Sequence, residues 1–244
     1  QSIHFVIIIS LVFCSVIYYL DDLVKINYKI RIGLQIFVAL IIFYLFRETI
    51  NINYLPLIIF LFFGIINSFN FQDGQDLNIF VIFLLIFLSF YLYSNQQIIQ
   101  NTAILVLLFL LSFGIFNKKP SKLFFGDSGC YVATIILFIF CIYEFTNFFL
   151  IKSVIGIMLF PLMDITLVIM YRIFMRENLL SRNHYHIYQK LYKKTNYYVY
   201  LLPNILFAGI NFYLIHLLYL DINSIILIII FNFLSCLILQ FLIN

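Results

Sequence analysis

Charge is what this chain has least of. Lys, Arg, Asp and Glu together make up 10% of its 244 residues, against about 25% in a soluble domain. Glycine and proline are also few, and no linker or low-complexity tail breaks the sequence. The four cysteines (Cys14, Cys130, Cys141, Cys236) have no paired spacing, and three of them lie inside apolar runs. That excludes a disulfide framework and a cysteine zinc site; they read as small buried hydrophobes. The run before Leu20 lacks a basic start and a small-residue cleavage site, which argues against a signal peptide. Because the chain starts at Gln1 almost directly in an apolar run, a further N-terminal part is expected to precede it.

What is present is apolar. Hydrophobic residues reach 65%, with 31 Phe, 18 Tyr and a mean hydropathy of +1.10. A soluble domain of this size could not hide so much apolar surface, so lipid must be the solvent. A spanning helix needs about 20 apolar residues. Nine runs come near that length, at about 3–20, 32–46, 50–66, 78–93, 102–116, 131–149, 151–171, 198–218 and 222–243. None shows the period-2 alternation of a membrane barrel. The expected fold is all-α, a polytopic membrane helical bundle of about nine spans, forming a single domain over 1–244.

Basic residues orient such a bundle. Counting loops alternately, one side holds Lys25, Lys29, Arg31, Lys118, Lys119, Lys122, Arg172, Arg176, Arg182, Lys190, Lys193 and Lys194, the other only Arg47 and Lys152. By the positive-inside rule the first side is cytoplasmic. Five of the ten acidic residues, Asp21, Asp22, Asp73, Asp76 and Asp127, fall on that same side. Acidic groups gathered at a membrane boundary mark a functional site by default.

Four clusters carry the chemistry. Asp21-Asp22 ends the first run, where two carboxylates can hold a divalent cation or accept a proton, or merely end a helix. NSFNFQDGQD, Asn67 to Asp76, places Asp73 and Asp76 three apart, on one face if helical, with Asn70 a turn earlier and Gly74 open to close approach. It also reads as a polar turn. FFGDSG, Phe124 to Gly129, follows Lys118, Lys119 and Lys122. Its Gly-flanked Asp127 suits Mg²⁺, which takes one or two carboxylates and completes its shell with water and phosphate. Lys122 and its neighbours can hold phosphate or serve as positive-inside anchors, and Lys118 and Lys119 read better as anchors. RNHYHIYQKL, Arg182 to Leu191, offers His184 and His186 for phosphate contact or proton transfer. His4 and His216, in apolar runs, read as structural. Asp164 sits eight residues before Arg172, about 12 Å into the membrane at 1.5 Å per residue. It is expected to be a proton-binding or structural partner inside the bundle, the structural role preferred, unless a bend at Pro161 turns it toward the site.

In order and content these clusters resemble the polyprenyl-phosphate N-acetylhexosamine-1-phosphate transferases, the group that includes the phospho-N-acetylmuramoyl-pentapeptide transferases. The resemblance runs over about residues 15–195: Asp21-Asp22 with Lys29, Arg31 and Gln35, then NFQDGQD, then FFGDSG, then Pro161, Asp164 and Arg172 leading to the histidine loop. It departs at Gln75, at Leu77, where the family's pattern has a second Gly, and at Cys130, where it has Ser. His186-Ile187-Tyr188-Gln189 is similar to the His-x-Tyr-Gln ending of enzymes that initiate surface polysaccharides, which favours a UDP-N-acetylhexosamine donor over a pentapeptide one. The family's basic, Gly-rich motif upstream of the Asp-Asp span is missing, which fits an expectation of one or two further spans before Gln1.

The resemblance implies transfer of a sugar-1-phosphate from a UDP-sugar to undecaprenyl phosphate, with release of UMP, at the cytoplasmic face of a bacterial plasma membrane. It implies Mg²⁺, with Mn²⁺ as a substitute, held by Asp127. The catalytic set is Asp21, Asp22, Asp127 and His186. Asn70, Asp73, Asp76, Lys122, Arg182 and His184 bind substrate. The partners are the nucleotide sugar, the lipid phosphate and the bilayer, with no nucleic acid, and a homodimer is compatible with it. The alternatives are a pentapeptide transferase, a transporter, or an inactive homologue.

Overall fold

The computed structural model describes residues 12, 15, 16, 18–20, 23, 27–48, 50–178, 184–195, 198–217 and 222–243. Asp21, Asp22 and Arg182, with His4, Cys14 and most of the first expected span, lie outside them. The described residues form helices and connecting turns, with no strand among them. In chain order the helices are α1 (Tyr28–Leu45), α2 (Leu55–Gln72), α3 (Asn78–Tyr93), α4 (Gln97–Asn117), α5 (Gly126–Tyr143), α6 (Phe148–Phe174), α7 (Ile187–Thr195), α8 (Leu202–Leu217) and α9 (Ile222–Ile243). Short 3₁₀ turns at Ile52–Tyr54 and Tyr198–Leu201 lead into α2 and α8.

Six of these, counting the 3₁₀ turns with α2 and α8 and taking α9 from Ser224, are long and apolar enough to cross a membrane. They are Ile52–Gln72, Gln97–Asn117, Gly126–Tyr143, Phe148–Phe174, Tyr198–Leu217 and Ser224–Ile243, against nine expected spans. Of the other three, α3 has 16 residues, α1 has 18, and 3–20 is mostly outside the described residues. The chain is a multi-pass membrane protein.

Boundaries follow local chemistry. Asn27 caps α1 by accepting from Lys29 N at 3.0 Å, and Pro56 occupies the first turn of α2, where a missing N–H costs nothing. The expected run 131–149 is in fact interrupted: α5 ends at Tyr143 and α6 begins at Phe148. Glu144, almost wholly buried, causes the break. Its carboxylate accepts from Ser94 Oγ and from Asn147 Nδ2, while the Asn147 side chain also caps α6 at Leu150 N. Likewise α4 starts at Gln97 rather than 102, directly after a turn in which Ser94 Oγ accepts the Gln96 N–H at 3.0 Å.

The described chain divides into two compact units, one comprising residues 1–73 and 124–143, the other residues 74–123 and 144–244. In the first, Val38, Ala39 and Ile42 of α1 pack with Phe62 and Ile66 of α2 and with Tyr131, Ile135 and Ile139 of α5. Lipid tails are as apolar as these side chains, so close packing and polar contacts hold the helices rather than transfer from water. The Phe62–Phe138 and Phe46–Tyr143 rings meet edge to face, each at 5.1 Å.

In the second unit α3 is buried along its length by Ile79, Ile82, Phe83, Ile86, Phe87 and Phe90. Gly156 lets α6 and α8 approach: a Cβ there would lie 3.1 Å from Ile215 Cδ1. Asn211 of α8 donates to Gly156 O at 3.0 Å and exchanges two hydrogen bonds, of 2.9 and 2.8 Å, with Asn232 of α9. Such buried amide pairs are the polar glue of helices in lipid. His216 is structural, as expected: it stacks on Phe149 at 3.9 Å, with Nε2 2.9 Å from Ser153 Oγ.

Candidate active site

In the first unit the NFQDGQD and GDSG segments are joined by a hydrogen bond. Asp73, the residue that ends α2, accepts the Gly126 backbone N–H at 2.8 Å through Oδ2. Gly126 has φ 70, a left-handed conformation that glycine adopts at no steric cost, and from it α5 begins with Asp127 in its first turn. A carboxylate there also meets the positive end of the helix dipole. Arg31 of α1 reaches Asp127, its Nη1 2.7 Å from Oδ2, with 30% and 25% of the two side chains exposed. This is an accessible, charge-compensated carboxylate rather than a sealed ion pair.

Behind it lies a network in which Gln35 Nε2 donates to Tyr131 Oη at 3.2 Å and to Asn67 Oδ1 at 3.3 Å. Asn67 Nδ2 returns a bond to Gln35 Oε1 at 3.0 Å. Three helices are thereby pinned in register beneath the Arg31–Asp127 pair. Asn70 is half-buried, and its carbonyl accepts from Asp73 N. Cys130 is fully buried with Sγ toward Phe69 O, a small core residue as its surroundings suggested.

The second unit holds the remaining described candidates, Asp76, Lys122, His184 and His186. Residues 73–77 form a turn, not a helix, so Asp73 and Asp76 do not share a helical face. Asp76 is buried and its carbonyl accepts from Tyr200 Oη at 2.6 Å. Leu77 takes φ 59, the left-handed region, at the position where the resembled pattern has glycine. A non-glycine residue there costs about 1–2 kcal/mol. Asn117 Oδ1 offsets part of it by accepting Leu77 N at 2.6 Å, and the leucine side chain packs against the cluster of Val81, Tyr188, Tyr200 and Leu201. Gly74 accommodates Tyr188 and Gln189: a Cβ would stand 2.4 Å from Tyr188 Oη and 3.1 Å from Gln189 Nε2. Lys122 and His184 are exposed. Lys119 is engaged through its backbone N–H, 2.9 Å from Tyr198 Oη, and its ammonium lies over the Tyr192 ring.

The histidine loop is anchored on Asp164, only 2% exposed within α6. His186, 3% exposed, places Nδ1 3.1 Å from Asp164 Oδ2. Asp164 Oδ1 accepts from Ile187 N at 3.1 Å and from Gln240 Nε2 at 3.2 Å. Asp164 thus has its partners inside the bundle, and one of them is the candidate histidine. An acceptor carboxylate favours the imidazole proton on Nδ1, which leaves Nε2 as the nitrogen that can accept a proton. Nearby, Tyr185 Oη donates to Glu177 at 3.0 Å, and Glu177 lies 3.5 Å from Arg172 Nε. The hydrogen bond to Glu177 and that residue's charge raise the Tyr185 phenol above its ordinary value.

Among the described residues no three His, Cys, Asp or Glu side chains are grouped to hold a metal ion. Asp127 still fits Mg²⁺, because that ion is satisfied by one or two carboxylates, water and substrate phosphate.

The described helices make this a multi-pass membrane protein that carries an Arg31–Asp127 pair at the start of α5 in one unit and, in the other, a histidine held by a carboxylate. The chain belongs to glycosyl transferase family 4, whose model matches residues 4–145. It is similar to phospho-N-acetylmuramoyl-pentapeptide-transferases. The one from Lactobacillus helveticus is 31% identical over 162 residues, covering 53% of this chain and 48% of that protein. Those from Listeria monocytogenes (30% over 149 residues) and Fervidobacterium nodosum (28% over 141) each cover 50% of this chain and 46% of their own length. The chain thus spans about half the length of the curated relatives it matches. Arg31, Asp73 and Asp127 lie inside the family match, whereas Asp164, His186 and Gln240 lie beyond it. Sequence reading missed Gln240 and the partner of Asp127. A lone Gln in an apolar run was the available signal for the first; Arg31, four residues before Gln35, was the signal for the second.

Proposed function

We propose that this protein transfers N-acetylhexosamine-1-phosphate from a UDP-sugar to undecaprenyl phosphate at the cytoplasmic face of the bacterial plasma membrane, to start a surface polysaccharide. An oxygen of the lipid phosphate attacks the β-phosphorus of the donor. The bond from that phosphorus to the bridging oxygen breaks, UMP leaves with that oxygen, and a lipid pyrophosphate sugar remains. The observation that carries this reading is the Arg31–Asp127 pair at the start of α5, inside the family match and tied to the NFQDGQD segment through Asp73.

Phosphoryl transfer asks a protein mainly for positioning and charge stabilisation. Mg²⁺, or Mn²⁺ in its place, neutralises the donor diphosphate when bound, and Asp127 is the residue that would hold it. Arg31 keeps Asp127 oriented and contributes positive charge. Asp73 acts as a positioning residue through Gly126, while Asn70 and Asp76 orient the nucleotide sugar. Asp21 and Asp22 keep the lipid phosphate deprotonated. Its second pKa is near 6, so a weak base suffices. His186, once Nε2 carries a proton, donates from it to phosphate oxygens, alongside His184, Arg182 and Lys122.

The relatives' names favour a second donor, UDP-N-acetylmuramoyl-pentapeptide, whereas the His186-Ile187-Tyr188-Gln189 ending favours the simple hexosamine. The family match lends the transporter alternative no support. Membranes carrying the protein, supplied with Mg²⁺ and each donor in turn, decide between the two. UMP release that requires undecaprenyl phosphate and one UDP-N-acetylhexosamine is the expected result. Release from the pentapeptide donor alone corrects the substrate, and release from none removes the reading.

A further inference from the structure

The last helix, α9, is apolar along its length except for Asn223, Ser224, Asn232, Ser235 and Gln240. Asn232 serves the helix–helix contact with Asn211. Gln240 faces elsewhere. Its Nε2 donates both to Asp164 Oδ1 at 3.2 Å and to the carbonyl of Tyr185 at 2.9 Å. Its Oε1 accepts from Lys190 Nζ at 2.5 Å. One amide therefore gives a hydrogen to the carboxylate that orients His186, another to the chain just before that histidine, and accepts one from a cation four residues after it. That cation is half-buried. Burial holds the Lys190 amine below its ordinary value, against the opposing pull of Asp164.

We propose that Gln240 is a positioning residue for His186, whose amide keeps the Lys190 ammonium and the Asp164 carboxylate apart so that the carboxylate stays committed to the imidazole. A primary amide suits this task because it is a donor on one side and an acceptor on the other, with no net charge. Without it, Lys190 and Asp164 attract one another in a poorly solvated region where opposite charges interact strongly. The ammonium then competes with His186 Nδ1 for the same oxygens, and the ring loses the bond that sets its tautomer. The consequence for turnover rests on the phosphate-contact role proposed for His186; the geometry of the relay does not.

The test is a coupling experiment in the whole protein, reading UMP release and the His186 tautomer from ¹⁵N-histidine NMR in detergent. Gln240→Met keeps length and volume but removes both hydrogen-bonding groups. It is expected to lower kcat about tenfold or more, with KM within about twofold, and to reduce the Nδ1–H form of His186. Lys190→Met alone should change neither readout by more than about twofold, and the double variant should recover most of both losses, which a packing role would not produce. Gln240→Glu still accepts from Lys190 but repels Asp164, so it should lose rate and stay unrescued by Lys190→Met. It carries the test should Gln240→Met fail to accumulate. A double variant no better than Gln240→Met, or a native tautomer in Gln240→Met, overturns the proposal. Should the unmodified protein release no UMP from any donor, the proposed function fails and the tautomer series alone decides the relay.

Discussion

Asp127→Asn separates the chemical part of the Arg31–Asp127 pair from its structural part. The substitution keeps the shape and leaves an amide oxygen facing Arg31 Nη1, which now stands 2.7 Å from Oδ2. Exposed ion pairs contribute about 0.2–1 kcal/mol, whereas breaking a buried pair costs about 3–5 kcal/mol. With 30% and 25% of the side chains exposed and one acceptor retained, the expected loss of stability is about 1 kcal/mol. Asp73 continues to accept Gly126 N, so the start of α5 keeps its geometry. Turnover should fall about 1,000-fold, about 4 kcal/mol of transition-state stabilisation, because the carboxylate that would hold Mg²⁺ is gone. UMP release across a Mg²⁺ titration gives the rate, and detergent unfolding gives the stability. A folded variant with turnover within threefold of the original refutes the assignment. A variant that unfolds shows that the pair is structural instead.

His186→Ala should lower the rate about 100-fold, within the range usual for a positioned histidine; an unchanged rate in the UMP assay leaves Asp164 and the histidine loop with a structural role alone. Asn232→Leu removes both bonds to Asn211 and leaves that buried amide short of a partner, so unfolding in detergent should become easier by about 1–2 kcal/mol. An unmoved midpoint would mean that α8 and α9 are held by apolar packing alone.

The helices were legible because apolar runs of spanning length are hard to disguise: the runs 78–93 and 222–243 are α3 and α9 to the residue, and 198–218 is within a residue of the 3₁₀ turn and α8 taken together, Tyr198–Leu217. Where boundaries moved, a buried polar group moved them. Glu144 splits the run 131–149, and composition shows only that a charge is present, not that Ser94 and Asn147 await it. The same limit governs the site. Asp127 was readable from its glycine neighbours, but its partner Arg31 is 96 residues away. Asp164 stood out as a charge in an apolar run, yet what satisfies it comes from 22 and 76 residues further on. The NFQDGQD segment was recognisable as polar and turn-forming. Its helical alternative failed because Leu77 adopts a left-handed conformation, which nothing in a leucine announces.

The most direct measurement follows the β-phosphate. Donor UDP-N-acetylhexosamine labelled with ³²P at the β position is given to membranes carrying the protein, with undecaprenyl phosphate and Mg²⁺, and the lipid is extracted. Transfer of a sugar-1-phosphate puts the label in the lipid phase and leaves unlabelled UMP in the water. Label retained in water as UDP, beside a sugar-bearing lipid, would mean transfer of the sugar alone and would contradict the proposed reaction.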